Sequence, residues 1–250
     1  MSRVLVIGDS CKDVFVYCTC DRLAPEFPVQ TLDAKSEIEN GGMAKNVQSN
    51  IDSLGIDCDI ATNENWKSIT KTRYIDKDTN YMFIRVDSQY ERSRVNINQV
   101  CNNIKSYDAV VVSDYDKGFL TTEDIRHICK QHPCTFIDTK KILGHWASEA
   151  KFIKINHHEY TNSTDIVKND KVLSDKIIRT MGPHGAFYQD QQFPVDRVEV
   201  KDASGAGDSF LAGLVVEYIK TGNIQESIKF GNDCATSVVQ KRGVSVVCEK

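Results

Sequence analysis

The run Asp202-Ala-Ser-Gly-Ala-Gly-Asp208 joins small residues to two carboxylates and leads into the strongly helical stretch Ser209-Phe-Leu-Ala-Gly-Leu-Val-Val-Glu-Tyr-Ile219. A glycine-rich turn that opens a helix presents unpaired backbone N–H groups and the positive end of the helix dipole. That combination binds anions and suits the charge on a phosphoryl group in transfer. Gly205 and Gly207 let the backbone approach such an anion without a Cβ in the way. Ala206, Gly207 and Asp208 would supply the N–H groups. Asp208 stands beside the anion, where it could take a proton from an attacking hydroxyl. A plainer use also fits: Asp208 as a first-turn acid that complements the dipole above an ordinary turn. The neighbouring segments decide between the two.

Other polar groups fall where a parallel sheet would expose them. Asp9 ends the apolar segment Val4-Leu-Val-Ile-Gly8, and Asp114 and Lys117 follow the apolar segment Ala109-Val-Val-Val112. Ligands of open α/β sheets bind at the carboxyl ends of the strands. A solvated turn acid, or a loop closed by Gly118, explains the same residues without a ligand. His157-His158 resembles a metal pair, but adjacent residues point in different directions, and no transition-metal site is expected there. No Gly-x-x-x-x-Gly-Lys-[Ser/Thr] loop is present in the sequence, so a phosphate would not be held in that way.

These residues need a scaffold, and the periodicity supplies one. Met43, Val47, Ile51 and Leu54 recur at helical spacing after Gly41-Gly42, which predicts an amphipathic helix from Met43 to Leu54 stopped by Gly55. Helices are also predicted over residues 96–106, 122–131, 207–220 and 224–241, and strands over 3–9, 109–112, 135–138, 152–155 and 176–180. Strands alternating with helices indicate a mainly parallel sheet covered on both faces. Strand-only material gathers in residues 13–38 and 68–86, with a proline-broken loop over Arg22–Pro28. A small β element standing off an α/β body produces that distribution.

Four segments together resemble the ribokinase/PfkB carbohydrate kinases. Asp202–Asp208 resembles their C-terminal signature, Gly41-Gly-Met-Ala-Lys-Asn46 their N-terminal Gly-Gly element, Asn156-His-His-Glu159 their Asn-x-x-Glu motif, and Thr180-Met-Gly-Pro-His-Gly185 their nucleotide-side turn. The four occur in the family's order. Val4–Asp9, Leu23–Val29, Ser113–Gly118 and Phe136–Lys140 are further similar to the heptose-7-phosphate kinases, the kinase half of bacterial ADP-heptose synthase. The resemblance implies a single ribokinase-like domain over residues 1–250 with a β-sheet lid, ATP and Mg²⁺ as cofactors, and Asp208 as catalytic base. It places Asp9, Asp13, Gly41, Gly42 and Asn46 on the sugar. Asn156, Thr180, Gly182, Gly185 and Asn232 fall on the nucleotide, and Glu159 on magnesium through water. It also implies a homodimer joined through the lid. Ribose, fructose phosphate or a nucleoside are alternative acceptors within the family, and a non-catalytic sugar- or nucleotide-binding relative is the alternative outside catalysis. The chain is shorter than a typical member between Ala61 and Ser68, where a strand and helix would intervene, and it contains no His-x-Gly-His element.

Bulk composition agrees with a globular enzyme. Of the 250 residues, 40% are hydrophobic and 26% charged, enough apolar material for one large core. A net charge of −4 offers no basic field for nucleic acid. The apolar start Val4–Ile7 is too short for a signal-peptide core or a membrane span, so a cytoplasmic protein without membrane contact is expected. Nine cysteines, with no Cys-x-x-Cys pair among them, read as free thiols rather than a disulfide frame or a zinc site at Cys18 and Cys20.

Overall fold

The computed structural model describes residues 2–88 and 93–247. Among the described residues twelve strands form two sheets. The first group is β1 (Arg3–Gly8), β2 (Ser10–Leu23), β3 (Gln30–Met43), α1 (Ala44–Ser53), β4 (Asp57–Ala61), β5 (Thr70–Asp76) and β6 (Met82–Asp87). Then come α2 (Ile97–Cys101), β7 (Ala109–Asp114), α3 (Thr122–Gln131), β8 (Thr135–Thr139), β9 (Phe152–Asn156), α4 (His157–Asn162), α5 (Thr164–Asn169) and α6 (Lys171–Ser174). The chain continues through β10 (Ile177–Thr180), β11 (Ala186–Tyr188), β12 (Gln191–Phe193), α7 (Ala206–Thr221) and α8 (Ile224–Val239).

The central sheet has the order β12-β11-β10-β9-β8-β7-β1-β4. Its pairings from β4 through β10 are parallel, and β11 and β12 extend it antiparallel. Alternation within the strands creates two cores. Val4 and Val6 of β1 join Val111, Phe136, α1, α7 and α8 on one face. Leu5 and Ile7 join Val110, Val112, Ile137 and α3 on the other. Each such aliphatic side chain contributes roughly 1.5–3 kcal/mol on full burial, so a charge at Val6 or Val111 would break the layer.

The second, smaller sheet, β3-β2-β5-β6, forms the β element expected over residues 13–38 and 68–86, referred to as the lid. Its extent is larger than the sequence pattern indicates: the β2–β3 hairpin runs to Met43, so Gly41 and Gly42 end a strand rather than form a turn. Met43 then takes a positive φ of 62° as the chain switches from strand to helix. Along β2, the inward positions Asp13, Phe15 and Tyr17 pair in register with Lys71, Arg73 and Ile75 of β5. The period-2 geometry of a strand puts these six on one face.

Between β4 and β5 the chain makes only a short turn. That turn is bonded to the end of β1: Thr62 Oγ1 donates to the Gly8 carbonyl at 2.7 Å, and Ser10 N–H donates to Asn63 Oδ1 at 2.8 Å. These bonds tie the link to the strand end beside Asp9. The helix predicted over 96–106 is broken into α2 and a 3₁₀ turn at Ile104–Ser106. Asn102 and Asn103 sit at the break, and asparagine competes with helical hydrogen bonding through its side chain. Among the described residues eight cysteines carry free thiols, and Cys248 lies outside the described residues. No helix among the described residues is long and apolar enough to cross a membrane.

Candidate active site

The parallel strands deliver Asp9, Asp114, Thr139, Asn156 and Thr180 to one edge of the central sheet. Above that edge lie the lid and the N-terminus of α7. Gly205 caps the helix with φ 81°. A Cβ there would come within 2.8 Å of the Asn46 amide, so glycine is required both by conformation and by the approach of α1.

Asp208 occupies the first turn of α7 and is only 6% exposed. Asn46 Nδ2 donates to one carboxylate oxygen and Tyr115 Oη to the other, both at 2.8 Å. Burial pushes its pKa up, with Asp138 acting in the same direction, while the two hydrogen bonds and Lys154 oppose. A polar network fixes this geometry from α1. Ser209 Oγ and the Val247 N–H both donate to Asn50 Oδ1, and Asn50 Nδ2 donates to the Asn46 carbonyl.

Tyr115 and Asn50 carry no role in the sequence reading. Tyr115 lies inside the quoted Ser113–Gly118 segment, but nothing local shows that its hydroxyl crosses to α7. Its backbone N–H also donates to Asp9 Oδ2 at 2.9 Å, so Tyr115 ties the β1 end to Asp208. Asp9 is buried, and that burial and the nearby Asp114 raise its pKa. Asp114 has no exposed side-chain surface; its carboxylate is taken by Thr139 Oγ1 at 2.6 Å and Lys141 Nζ at 3.1 Å. It therefore organises the loop instead of facing a ligand. Lys117 lines a small recess with Asp9, Ser10 and Asn63.

On the lid, Asp13 accepts from Arg73 at 2.6 Å in a pair that is about nine-tenths buried. Gly42 is explained by this residue, since a Cβ would lie 2.4 Å from Asp13 Oδ2. A Cβ on Gly41 would instead press on Lys45. Lys71 Nζ sits 5.4 Å from the Tyr115 ring centre and contacts Met43 Sδ, with no ion pair among the described residues.

On the opposite side of α7 lies a cavity of about 590 Å³, lined by Thr180, Gly182, Gly185, Gly207, Phe210 and Asn232 among others. Gly185 has φ 79°, and a Cβ there would meet the Phe193 carbonyl at 2.0 Å. Asn232 Nδ2 donates to that same carbonyl at 2.9 Å, which anchors the cavity wall to α8. Asn156 and Glu159 cap α4 reciprocally, and Glu159 also pairs with Lys140. With these partners, Glu159 would meet a magnesium ion through water, and its oxygen chemistry suits a hard ion that keeps a hydration shell. Among the described residues no group of three or more metal-binding side chains is present.

A profile of pfkB family carbohydrate kinases matches residues 41–250. The chain belongs to that family. It is 29% identical to the bifunctional protein HldE of a Nitratiruptor species over 97% of its own length and 62% of that protein's. It is 30% identical to HldE of Campylobacter fetus subsp. fetus, over 97% and 64%. The chain thus spans a little under two thirds of the curated relatives it matches. Solved structures share the ribokinase-like fold. A nucleoside kinase of Methanocaldococcus jannaschii superposes with a TM-score of 0.71 at 16% identity, covering 99% of this chain and 95% of that one. Phosphofructokinase-2 of Escherichia coli gives 0.74 at 13%, covering 99% and 96%. The protein is a carbohydrate kinase of the pfkB family, a phosphotransferase with an alcohol acceptor.

Proposed function

We propose that this kinase moves the γ-phosphoryl group of ATP to the anomeric hydroxyl of heptose 7-phosphate, with Asp208 as the base. The observation that carries the catalytic assignment is the Asp208 carboxylate itself. It is buried at the N-terminus of α7, shared between Asn46 and Tyr115, and set between the 590 Å³ cavity and the lid. ATP lies in the cavity with its phosphates toward Gly207. The N–H groups of Gly207 and Asp208 face the transferring oxygens, while Ala206 N–H is directed to the Ala203 carbonyl at 3.3 Å. The acceptor lies under the lid against Asp9, Asp13 and Asn46. Its hydroxyl proton passes to Asp208 as the oxygen attacks phosphorus, and the bond to the ADP oxygen breaks with its electron pair. Magnesium, when bound, neutralises phosphate charge. Positioning and electrostatics supply the rate in this class of transfer.

A phosphorylated acceptor is favoured by Lys71, a cation on the lid's inner face beside Tyr115 with no carboxylate partner among the described residues. The heptose assignment rests on the resemblance to heptose-7-phosphate kinases and on the HldE relatives. Pairing of two copies through the lid is supported by Ile38, Met82, Ile84 and Val86, exposed on its edge strands β3 and β6. Asp208→Asn tests the assignment: turnover should fall by roughly 10²–10⁴-fold with nucleotide affinity retained. Near-normal turnover would remove Asp208 from the mechanism. ATP turnover with ribose or a nucleoside, and none with heptose 7-phosphate, would redirect the acceptor.

A further inference from the structure

Lys154 and Asp138 form an ion pair of 2.7 Å with side chains only 4% and 5% exposed. Neither has a part in the chemistry above. Buried charges of this kind are stable only when paired and hydrogen-bonded throughout. This pair is not. Asp138 uses Oδ2 on Lys154, and its Oδ1 has no hydrogen-bond partner. An ammonium carries three donors, yet Asp138 is the one hydrogen-bond partner of Lys154 Nζ among the described residues. Two donors are therefore open inside the protein.

Their place in the fold says what they face. Lys154 lies on β9 two residues after Phe152, which packs in the core beneath α7. Strand alternation brings Lys154 out on the same side as Phe152. Its Nζ lies 3.0 Å from where a Cβ on Gly207 would stand. Gly207 is the position where the turn admits an anion to the N–H groups of α7. A small residue there leaves the space between backbone and ammonium open.

We infer that Lys154 is a catalytic residue whose ammonium binds the oxygens of the transferring phosphoryl group, with Asp138 holding it in position. The inference rests on the phosphotransfer reading of the site. No proton moves to or from Lys154. The acceptor oxygen–phosphorus bond forms, the phosphorus–ADP oxygen bond breaks, and the fixed positive charge stays beside the three peripheral oxygens throughout. Preorganised charge of this sort stabilises the transition state without reorganisation.

The experiment compares wild type with Lys154→Met for turnover and for binding of ADP and of the non-hydrolysable analogue AMP-PNP. The expected result is a turnover loss of roughly 100-fold or more and a loss of about tenfold in AMP-PNP affinity relative to ADP. The acceptor KM should stay within about threefold. An unchanged ratio of AMP-PNP to ADP affinity, or turnover within about threefold of wild type, overturns the assignment. Because Lys154→Met leaves Asp138 buried and unpaired, the same measurements are made on Asp138→Asn and on Asp138→Asn/Lys154→Met. If Lys154 serves only to neutralise Asp138, these two variants behave alike, and the inference fails. If it binds the phosphoryl group, the double variant loses AMP-PNP discrimination beyond Asp138→Asn alone. Wild type that turns over no sugar substrate, yet discriminates AMP-PNP from ADP through Lys154, would instead sink the kinase reading and leave the anion site standing.

Discussion

The two sides of α7 are built in different ways. The cavity side is built mainly from glycines, alanines and apolar side chains, among them Gly182, Gly185, Gly207, Ala203 and Ala206 with Val195, Val198 and Phe210, beside the polar Asp196, Arg197 and Asn232. The lid side is built from polar side chains of the lid, of α1 and α7 and of the loop after β7: Asp13 with Arg73, Asn46 and Tyr115 with Asp208, and Lys71. Backbone recognition suits a ligand that does not vary, because every residue type supplies an N–H. Side-chain recognition suits one that must be chosen. The division implies that damage on the cavity side impairs every reaction of the enzyme, whereas damage on the lid side changes which acceptor is used.

The largest expected effect lies on the boundary, where Asp208→Asn should lower turnover by roughly 10²–10⁴-fold whichever acceptor is used. Its stability should move the other way. A raised folded-state pKa means the folded protein holds that proton more tightly than the unfolded chain, so the contribution is favourable at low pH and is lost as pH rises through the folded value. Asp208→Asn should therefore match or exceed the wild-type Tm at pH 7, measured by calorimetry. A lower Tm would show that the hydrogen bonds from Asn46 and Tyr115 outweigh desolvation.

Next comes Gly185→Ala. A Cβ 2.0 Å from the Phe193 carbonyl, at φ 79°, cannot be absorbed by a side-chain rotation. We expect a loss of more than about 1 kcal/mol in stability and weaker binding of ATP and ADP alike, with acceptor preference unchanged. Altered preference would break the division between the two sides. Lys71→Met should show the reverse pattern. Losing one charged contact to a phosphate corresponds to about 1.5–3 kcal/mol, read as a raised KM for the phosphorylated acceptor and an unchanged KM for ATP.

The pH profile is a finer probe. Protonated Asp208 cannot accept the hydroxyl proton, so kcat/KM should fall on the acid side with an apparent pKa above 3.8, the ordinary aspartate value. The smallest effect belongs to the lid surface. Lys12 and Glu39 form an exposed pair across β2 and β3, and Glu39→Gln should change stability by less than about 1 kcal/mol.

Local chemistry made much of this protein legible. Helical spacing fixed α1, α3, α7 and α8 to within a few residues, because apolar periodicity and the glycine stop at Gly55 act over short distances. The opening of a helix just after Gly205 was readable for the same reason. The strand character of Gly41 and Gly42 was not, since their pairing partners Lys12 and Cys11 lie about thirty residues away. The small strands β11 and β12 and the short helices α4 to α6 also escaped, as each is too brief to show a period.

What the sequence determined by itself was the alternation of strands and helices, the glycine turn, and the types of residue available for chemistry. Only the tertiary structure decided which of them meet. Asp114 and Tyr115 are adjacent in the chain, yet Asp114 is enclosed by Thr139 and Lys141 while Tyr115 reaches Asp208. Successive residues of an extended chain point in opposite directions, and the partners waiting on each side are supplied by strands and helices distant in sequence. Lys154 follows the same logic: in the sequence it is one lysine among apolar strand residues, and the packing of β9 under α7 makes it a buried cation beside Gly207.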